Sequence, residues 1–393
     1  MAPVATTTAG SLPRTDALIA ANAARSFDDD GFTLVSTPEF QQLTQDAVAD
    51  VVERQREAGI AQLGDGEFGK AMSNAVDYGA WWSYSFQRVT GLELTEVNAF
   101  NEPPVRSEPG NIRLTTFTDR RDRQRFPAVY AEAVETGTNA TAFPTTTGPI
   151  TYRGHDAVAQ DIRNLTSALR EGEQGFLTAI APGSAARVRN EYYATDEEHI
   201  WAWAEALREE YRAIVEAGLI VQLDDPSLAE NFDQINPEPS IAEYQELTRI
   251  RIEAINHAIA GLPKEQVRLH VCWGSWHGPH TTDIALADIL PVVLEAKVGS
   301  ISFEAGNVRH EHEFAAWDSP AVPDDLVLVP GVVSHATNVV EHPELVAQRI
   351  RRFTDIVGPE RVIASTDCGL GGRVHRDIAW AKLGSLGEGA RIV

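Results

Sequence analysis

The feature that most constrains the fold is a regular alternation between short apolar, β-branched runs and amphipathic segments. Eight runs occur, at residues 6–13, 60–67, 176–184, 219–225, 267–273, 300–306, 326–335 and 361–369. Amphipathic helical patterns lie between several of them, for example at 195–217, 241–260 and 342–357. Strands that alternate with helices in this way predict a parallel sheet with crossover helices. Eight such units favour an α/β fold of the (β/α)8 TIM-barrel type over an open doubly wound sheet.

The chain length allows a single large domain. Its 393 residues exceed the usual size of one core, but a TIM barrel with insertions reaches this length. The segment 68–173, between the second and third runs, is too long for an ordinary strand-to-helix connection. We therefore expect one TIM-barrel domain over residues 1–393, with 68–173 as an insertion or lid excursion. An aromatic patch at 78–86 fits either a lid over the catalytic end or packing against the flank of the barrel.

Composition narrows the class of partner. The formal net charge of -24 would repel nucleic acid and anionic lipid. No apolar run approaches the roughly 18 residues that a membrane span needs, and the N-terminus lacks the basic and apolar regions of a secretory signal. We expect a soluble cytoplasmic protein that acts on small molecules, with no nucleic-acid or membrane partner. The oligomeric state stays open.

Four residues in the C-terminal third predict a zinc site. Cys272 and Cys368 are the only cysteines in the chain, and a sparse pair of thiols is more often metal-binding or catalytic than a disulfide scaffold. His270 lies two residues before Cys272, so both side chains leave the same face of one strand. Glu304 ends another run. Thiolates with one imidazole and one carboxylate suit Zn²⁺, and a sulfur-rich zinc site favours chemistry on sulfur.

A structural zinc with four protein ligands is the alternative for this site. The ligands come from three separate strands at the end of the barrel that carries active sites, and a barrel of this size needs no metal for stability. Other polar residues also end the predicted strands or directly follow them, which places them at the same end of the barrel. They are Ser11, Glu67, Asp224 and His335.

In order along the chain, these motifs resemble those of the cobalamin-independent methionine synthase family, specifically its zinc-bearing C-terminal barrel. The matching segments are 10–13, 66–67, 222–226, 270–272, 303–304, 331–335 and 367–370. The resemblance covers nearly the whole chain apart from 68–173. It implies a single-barrel, zinc-dependent enzyme that transfers a methyl or other alkyl group to a thiol, with methyl transfer to homocysteine as the main hypothesis.

The resemblance also implies roles for individual residues. The zinc ligands would be His270, Cys272, Glu304 and Cys368. The carboxylate and ammonium of homocysteine would be held by Ser11, Glu67 and Asp224. His335 would be the acid that protonates the leaving group. Glu230 would contact a pterin donor, or it is an exposed glutamate on a helix.

Departures from the family leave the alkyl donor open between a folate, a corrinoid and an epoxide. The family places a tryptophan for the pterin after its third strand, whereas this chain has the segment 181–187 there. Related short enzymes that join coenzyme M to epoxides have similar histidine-rich loops, which here contain His277, His280, His310 and His312. These histidines fit a second metal, an anion site, epoxide activation or simple helix capping. The main alternative function is an epoxide:coenzyme M transferase, or another enzyme that forms or breaks carbon–sulfur bonds on the same zinc barrel. A zinc-storage or redox-sensing protein and a metal-free decarboxylase are the remaining alternatives.

Overall fold

Eight parallel strands form the centre of the fold in the computed structural model, which describes residues 4–70, 80–97, 99–100, 102–134 and 143–393. The strands are β1 (Ala5–Thr6), β2 (Gln62–Gly64), β3 (Gln174–Ile180), β4 (Ile220–Asp224), β5 (Val267–Val271), β6 (Ser300–Glu304), β7 (Val327–Val333) and β8 (Ile363–Thr366). Their order in the sheet is β1-β8-β7-β6-β5-β4-β3-β2. The backbone N–H of Ala61 donates to Thr6 O at 3.1 Å and brings the two edges together. The predicted TIM barrel is confirmed.

All eight predicted runs overlap a barrel strand, and each strand is shorter than its run. For example, β5 ends at Val271 and β8 at Thr366, so the polar residues that follow begin the loops. The parallel register pairs Asp224 on β4 with His270 on β5, and His270 with Ser302 on β6. These three residues therefore occupy one level at the carboxyl end of the barrel.

Helices surround the barrel, and their ends carry ordinary capping signals. The described α-helices are Asp16–Ala23, Pro38–Glu57, Ala80–Ser83, Arg121–Arg125, Pro127–Val134, His155–Ala168, Pro182–Ala185, Asp196–Glu216, Ile241–Ala258, Leu286–Val293, Pro343–Val357 and Arg376–Ile392. Thr195 caps the helix Asp196–Glu216, and Ser240 with Glu243 forms a capping box on Ile241–Ala258. The helix Pro343–Val357 begins on a proline, as its sequence predicts.

Short elements complete the described structure. The short strands are Leu92–Leu94, Pro144–Thr146 and Arg189–Asn190. The 3-10 helices are Tyr84–Arg88, Phe117–Asp119, Pro226–Leu228, Glu230–Phe232, Lys264–Gln266, Glu311–Trp317 and Pro359–Arg361. Among the helices described here, none combines the length and apolar character needed to cross a membrane.

The segment 68–173 has two parts with different roles in the fold. Its last helix, His155–Ala168, packs between Pro38–Glu57 and Asp196–Glu216 and occupies the place of an ordinary barrel helix. The earlier part lies on the loops that follow β4 and β5: Asp122 N donates to Asp233 Oδ1 at 2.9 Å, and Trp276 Nε1 donates to Tyr130 OH at 2.9 Å. This earlier part of the segment therefore lies at the carboxyl end of the barrel. Positions 78 and 79 of the aromatic patch lie outside the described residues.

Candidate active site

Three of the four predicted zinc ligands lie together at the carboxyl end of the barrel. The ligand atoms of His270, Cys272 and Cys368 all lie within 4.8 Å of one another. His270 is the fourth residue of β5, Cys272 directly follows that strand, and Cys368 lies two residues beyond β8. His270 and Cys272 are buried and Cys368 is partly exposed. Two sulfur atoms and one imidazole at this spacing form a suitable donor set for a zinc ion with a further position for substrate.

The hydrogen bonds of His270 fit a metal ligand. Its Nδ1 is hydrogen-bonded to Ser302 Oγ at 3.0 Å, which fixes the orientation of the ring. Its Nε2 is buried and has no hydrogen-bond partner among the described residues. A buried, unpartnered ring nitrogen is costly unless it binds something, and metal-bound histidines commonly use their second nitrogen in this way.

The two thiols are electrostatically unequal. A hydrogen bond from Cys272 holds the pKa of the Cys368 thiol well below its ordinary range, and the same contact raises the pKa of Cys272 well above its range. Because metal ligation requires the thiolate form, the lowered pKa of Cys368 favours its sulfur as a ligand.

Glu304 lies in a neighbouring group rather than in the cysteine cluster. Oxygen and nitrogen atoms of Glu304, His335 and Asp367 come within 4.8 Å of one another. Glu304 Oε1 accepts from the N–H of Trp273 at 2.9 Å, and Oε2 accepts from Asn307 Nδ2 at 2.6 Å. Burial raises the pKa of Glu304 to about 6. Its role as the fourth zinc ligand stays a prediction.

His335 is buried and bound to Asp367. Asp367 Oδ1 lies 2.9 Å from His335 Nδ1 and also accepts from the backbone N–H of His335 at 2.8 Å. Burial lowers the pKa of His335, but the carboxylate of Asp367 outweighs that effect and raises the pKa to about 9. The imidazole is therefore protonated at neutral pH, as a general acid must be.

The three residues predicted to hold homocysteine lie at the same end of the barrel as the cysteine cluster. Ser11 O accepts from the N–H groups of Leu370 and Gly371 at 2.9 and 3.1 Å, which holds Ser11 beside the loop that carries Cys368. Glu67 has a backbone φ of 63°, an unfavourable value for a residue with a side chain that the turn after β2 imposes. Asp224 is buried, and burial raises its pKa to about 7.

Two atoms in this group are buried without hydrogen-bond partners among the described residues. They are the hydroxyl oxygen of Ser11 and Oε2 of Glu67. Buried polar groups are normally hydrogen-bonded, so two unpartnered atoms at one end of the barrel indicate a place where a polar ligand completes the bonding.

Glu230, the predicted pterin contact, is already engaged by protein groups. Arg187 binds both of its oxygens, at 3.0 and 3.1 Å, and Arg120 of the insertion forms a second ion pair. Burial raises the pKa of Glu230, but the two guanidinium groups outweigh it and lower the pKa to about 2. The guanidinium of Arg120 also lies 4.7 Å from the centre of the Trp276 ring. The structure thus gives Glu230 a role in fastening the insertion to the barrel loops.

The histidine-rich loops are tied together by carboxylates. His280 Nδ1 and His310 Nε2 lie 3.1 and 3.0 Å from Asp283 Oδ2, and His310 Nδ1 lies 2.8 Å from Glu313. His277 Nε2 is hydrogen-bonded to Arg373 O at 3.1 Å. Both ring nitrogens of His310 are therefore occupied by protein acceptors, which favours a role in holding the loops after β5 and β6 over a second metal site.

Comparison with known proteins places the chain in a family. The model of the cobalamin-independent synthase catalytic domain matches residues 174–391, more than half of the chain. The chain belongs to this family. The match begins at β3 and includes every residue of the His270, Cys272 and Cys368 cluster. The predicted recognition is confirmed, and it places the chain among methionine synthase-like enzymes.

Individual relatives divide into two kinds. The 2-hydroxypropyl-CoM lyase of Xanthobacter autotrophicus is 24% identical over 379 residues, which cover 90% of this chain and 86% of that protein. The methionine synthase of Thermococcus kodakarensis is 31% identical over 205 residues, which cover 52% of this chain and 52% of that protein. The match thus spans about half the length of this methionine synthase.

A solved structure shares the fold along the whole chain. The B12-independent methionine synthase from Shewanella sp. W3-18-1, in complex with selenomethionine, superposes with a TM-score of 0.70. The match covers 100% of this chain and 98% of that chain at 19% sequence identity. At this identity the likeness supports the barrel architecture alone.

Proposed function

We propose that the protein is a zinc-dependent enzyme that transfers a methyl group to the thiol of homocysteine. The observation that carries the proposal is the position of the three donor atoms of His270, Cys272 and Cys368, within 4.8 Å of one another at the end of the barrel that also carries Ser11, Glu67 and Asp224. A thiol-activating metal site and a polar site for an amino-acid head group thus share one end of the barrel. Family membership supports the same reaction class.

Zinc would be held by His270, Cys272 and Cys368, with Glu304 as a fourth ligand that would give way to the thiol of the substrate. The unpartnered Nε2 of His270 and the lowered pKa of Cys368 support this assignment. Bound there, zinc lowers the pKa of a thiol substrate so that a thiolate nucleophile is present at neutral pH. A cytoplasmic location belongs to the proposal, because the two cysteines stay reduced in that compartment.

The remaining groups would bind and orient the substrate. Glu67 Oε2 and the carboxylate of Asp224 are suited to an ammonium group, which needs nearby anions when it leaves water. Ser11 Oγ is a hydrogen-bond donor for a carboxylate. Together these groups would hold homocysteine by its amino-acid end and leave its thiol toward the two cysteines.

His335 would supply the proton that the leaving group needs. As the new sulfur–carbon bond forms, the bond between that carbon and the leaving atom breaks, and the leaving atom takes the proton from His335. Asp367 holds Nδ1 of the ring, which leaves Nε2 for this transfer. The described part of the insertion would form a wall of the site and limit access of water.

A second candidate is addition of a thiol such as coenzyme M to an epoxide, or the reverse cleavage of a carbon–sulfur bond. Similarity to the 2-hydroxypropyl-CoM lyase over 90% of the chain favours it. The same metal site and the same acid serve both reactions, because an epoxide oxygen also needs a proton when its ring opens.

One experiment separates these reactions. Zinc-loaded protein is incubated with homocysteine or with 2-mercaptoethanesulfonate, each against methyl-folate, methylcobalamin and a short epoxide. We expect methionine from homocysteine and one of the methyl donors. Turnover with 2-mercaptoethanesulfonate and the epoxide alone would replace the main proposal by the second candidate. No turnover with any pair, in protein that holds zinc, would contradict both.

A further inference from the structure

Lys70 is a buried cation at the end of the barrel that carries the proposed thiol site, and none of the roles assigned above includes it. It follows Glu67 by three residues in the loop after β2, and its side chain is 5% exposed. A lysine is almost never buried to this degree without a partner, because removing its charge from water is unfavourable unless another group interacts with it. The partners of its ammonium group therefore decide its role.

The contacts of the Lys70 ammonium group are incomplete. Its Nζ donates one hydrogen bond, to Thr178 Oγ1 on β3. Glu67 Oε1 lies 3.7 Å away, beyond hydrogen-bond distance, and the centre of the Tyr84 ring lies 4.4 Å away. An ammonium group has three N–H donors, so two of them have no hydrogen-bond acceptor among the described residues.

The hydroxyl of Thr178 explains why Glu67 does not take those donors. Thr178 Oγ1 donates its own hydrogen to Glu67 Oε1 at 2.7 Å, so it can only accept from Lys70. The hydrogen-bond chain therefore runs from Lys70 through Thr178 to Glu67. Glu67 Oε1 is satisfied by the hydroxyl, while Oε2 remains unpartnered.

The loops that carry Lys70 and Ser11 are locked against each other. Arg14 Nη2 donates to the backbone carbonyls of Glu67 and Lys70 at 2.6 and 2.9 Å. Leu12 N donates to Gly66 O at 3.2 Å. The hydroxyl of Ser11, also without a partner, is thus held close to the turn that carries Lys70. Lys70 also lies near enough to Asp224 to oppose the rise in the pKa of that carboxyl.

We propose that Lys70, with Ser11, binds the anionic head group of the thiol substrate and so determines which thiols the protein accepts. The inference rests on the proposed function, whose thiol site it completes. Lys70 and Ser11 supply the donors that an oxyanion needs, while Glu67 Oε2 and Asp224 supply acceptors for an ammonium group. A carboxylate and a sulfonate share the oxyanion chemistry, so both homocysteine and 2-mercaptoethanesulfonate meet the requirement at Lys70.

The test is a comparison of four thiols on the zinc-loaded protein, with affinity measured by isothermal titration calorimetry. Homocysteine carries an anion and an ammonium, 2-mercaptoethanesulfonate only an anion, cysteamine only an ammonium, and 2-mercaptoethanol neither. Lys70→Met should weaken binding of the two anionic thiols by roughly tenfold to a hundredfold, because a buried charge partner is lost. Cysteamine and 2-mercaptoethanol should change by less than about twofold on the same argument.

Control variants test whether the loss of affinity comes from the charge of Lys70 and not from a general effect of the substitution. Lys70→Arg should retain most of the affinity for the anionic thiols, and Lys264→Met, at an exposed lysine beside the amino end of β5, should change none of the four. Zinc content and thermal unfolding are measured for every variant. If Lys70→Met does not fold, Lys70→Gln takes its place, because it keeps a polar group toward Thr178.

The double variant Lys70→Met with Glu67→Gln separates substrate binding from a purely structural role. If Lys70 only balances the charge of Glu67, removing both charges restores the affinity for 2-mercaptoethanesulfonate, and the inference is wrong. We expect the double variant to stay weak. Equal losses for all four thiols in Lys70→Met would also overturn it. If no thiol binds the zinc-loaded wild type, the proposed function itself fails.

The affinities of the wild type for different anionic thiols also show whether the Lys70 site prefers a carboxylate or a sulfonate. Neither 3-mercaptopropionate nor 2-mercaptoethanesulfonate has an ammonium group, so tighter binding of 3-mercaptopropionate by the wild type assigns the Lys70 site to a carboxylate, and the reverse order assigns it to a sulfonate. Either order supports the inference as long as both affinities depend on Lys70.

Discussion

Asp367 Oδ1 accepts two hydrogen bonds from His335, one from the backbone N–H at 2.8 Å and one from the ring Nδ1 at 2.9 Å. Asp367 also directly precedes Cys368, so the carboxylate that orients the proposed acid belongs to the loop that carries a proposed zinc ligand. The acid and the thiol site are therefore coupled through one short loop after β8.

The first prediction concerns the proton that His335 supplies. His335→Gln should lower turnover by roughly two to four orders of magnitude, while zinc content and thiol affinity stay unchanged. A methylsulfonium donor, which needs no proton at departure, should restore most of the rate. Steady-state kinetics with both donors and calorimetric thiol binding check this. A variant equally slow with both donors, or one that loses zinc, would remove the acid from the mechanism.

Asp367 has a separate expected effect. Asp367→Asn keeps the shape of the side chain but removes the negative charge that raises the pKa of His335 to about 9. The protonated form of His335 should then be lost at lower pH than in the wild type, so turnover should fall earlier as pH rises. The pH profile of kcat measures this, with His342→Gln, at an exposed helix cap, as the control. An unchanged alkaline limb would show that His335 is not the group that titrates.

The zinc assignment predicts the behaviour of the two cysteines. Cys272→Ser and Cys368→Ser should lose most of the zinc and all activity, since serine is a poor zinc ligand, while the barrel stays folded. Elemental analysis of freshly purified protein and circular dichroism check both statements. His277→Gln, on the neighbouring loop, is the matched control and should keep its zinc. Full zinc occupancy in both serine variants would disprove the assignment.

Much of the barrel and of the metal site could be predicted because their signals are local. The spacing of His270 and Cys272 predicts that both side chains leave the chain on one face. The parallel register then places His270 level with Asp224 on the neighbouring strand. Strand ends could be placed only to within a few residues, because the apolar pattern continues into buried loops. Thus the run 176–184 covers the end of β3 (Gln174–Ile180) and most of the short helix Pro182–Ala185 that follows it.

Other site features depend on contacts between distant segments and left no local signal. Glu230 pairs with Arg120, 110 residues earlier in the chain, so its engagement in an ion pair could not be inferred from its own surroundings. Lys70 and Thr178 are 108 residues apart, and a lysine in a polar turn is indistinguishable from an exposed one by sequence pattern. The sequence groups Glu304 with the cysteines because Glu304 ends a neighbouring run. Its hydrogen bonds to Trp273 and Asn307 could not be predicted, and its role as a zinc ligand stays a prediction.

A further prediction concerns the two carboxylates of the thiol site. Asp224→Asn and Glu67→Gln should each weaken homocysteine binding by roughly 2 to 5 kcal/mol, the usual consequence of removing one partner of a buried charge pair. Binding of 2-mercaptoethanesulfonate, which has no ammonium group, should not weaken. Calorimetry on zinc-loaded protein gives both affinities, with Asp325→Asn at the opposite end of the barrel as the control. Equal losses for both thiols would show that these carboxylates do not bind an ammonium group.

The last prediction follows from the ion pairs of Glu230, which join the insertion to the barrel loops. Arg120 and Arg187 overcome the effect of burial and lower the pKa of Glu230 from its ordinary 4.5 to about 2. A carboxyl whose pKa is lower in the folded state stabilises the fold above its unfolded pKa, by about 3 kcal/mol here, and this contribution disappears as pH falls from about 5 to 2. Glu230→Gln should therefore destabilise the protein at pH 7, and its free energy of unfolding should differ less from that of the wild type at each step toward acid pH.

Denaturant unfolding from pH 7 to pH 3 measures this difference in the free energy of unfolding, with Glu265→Gln at an exposed helix as the control. A gap between Glu230→Gln and the wild type that does not change with pH would mean that the ionised carboxylate contributes nothing, and that the insertion is held by its other contacts with the loops after β4 and β5.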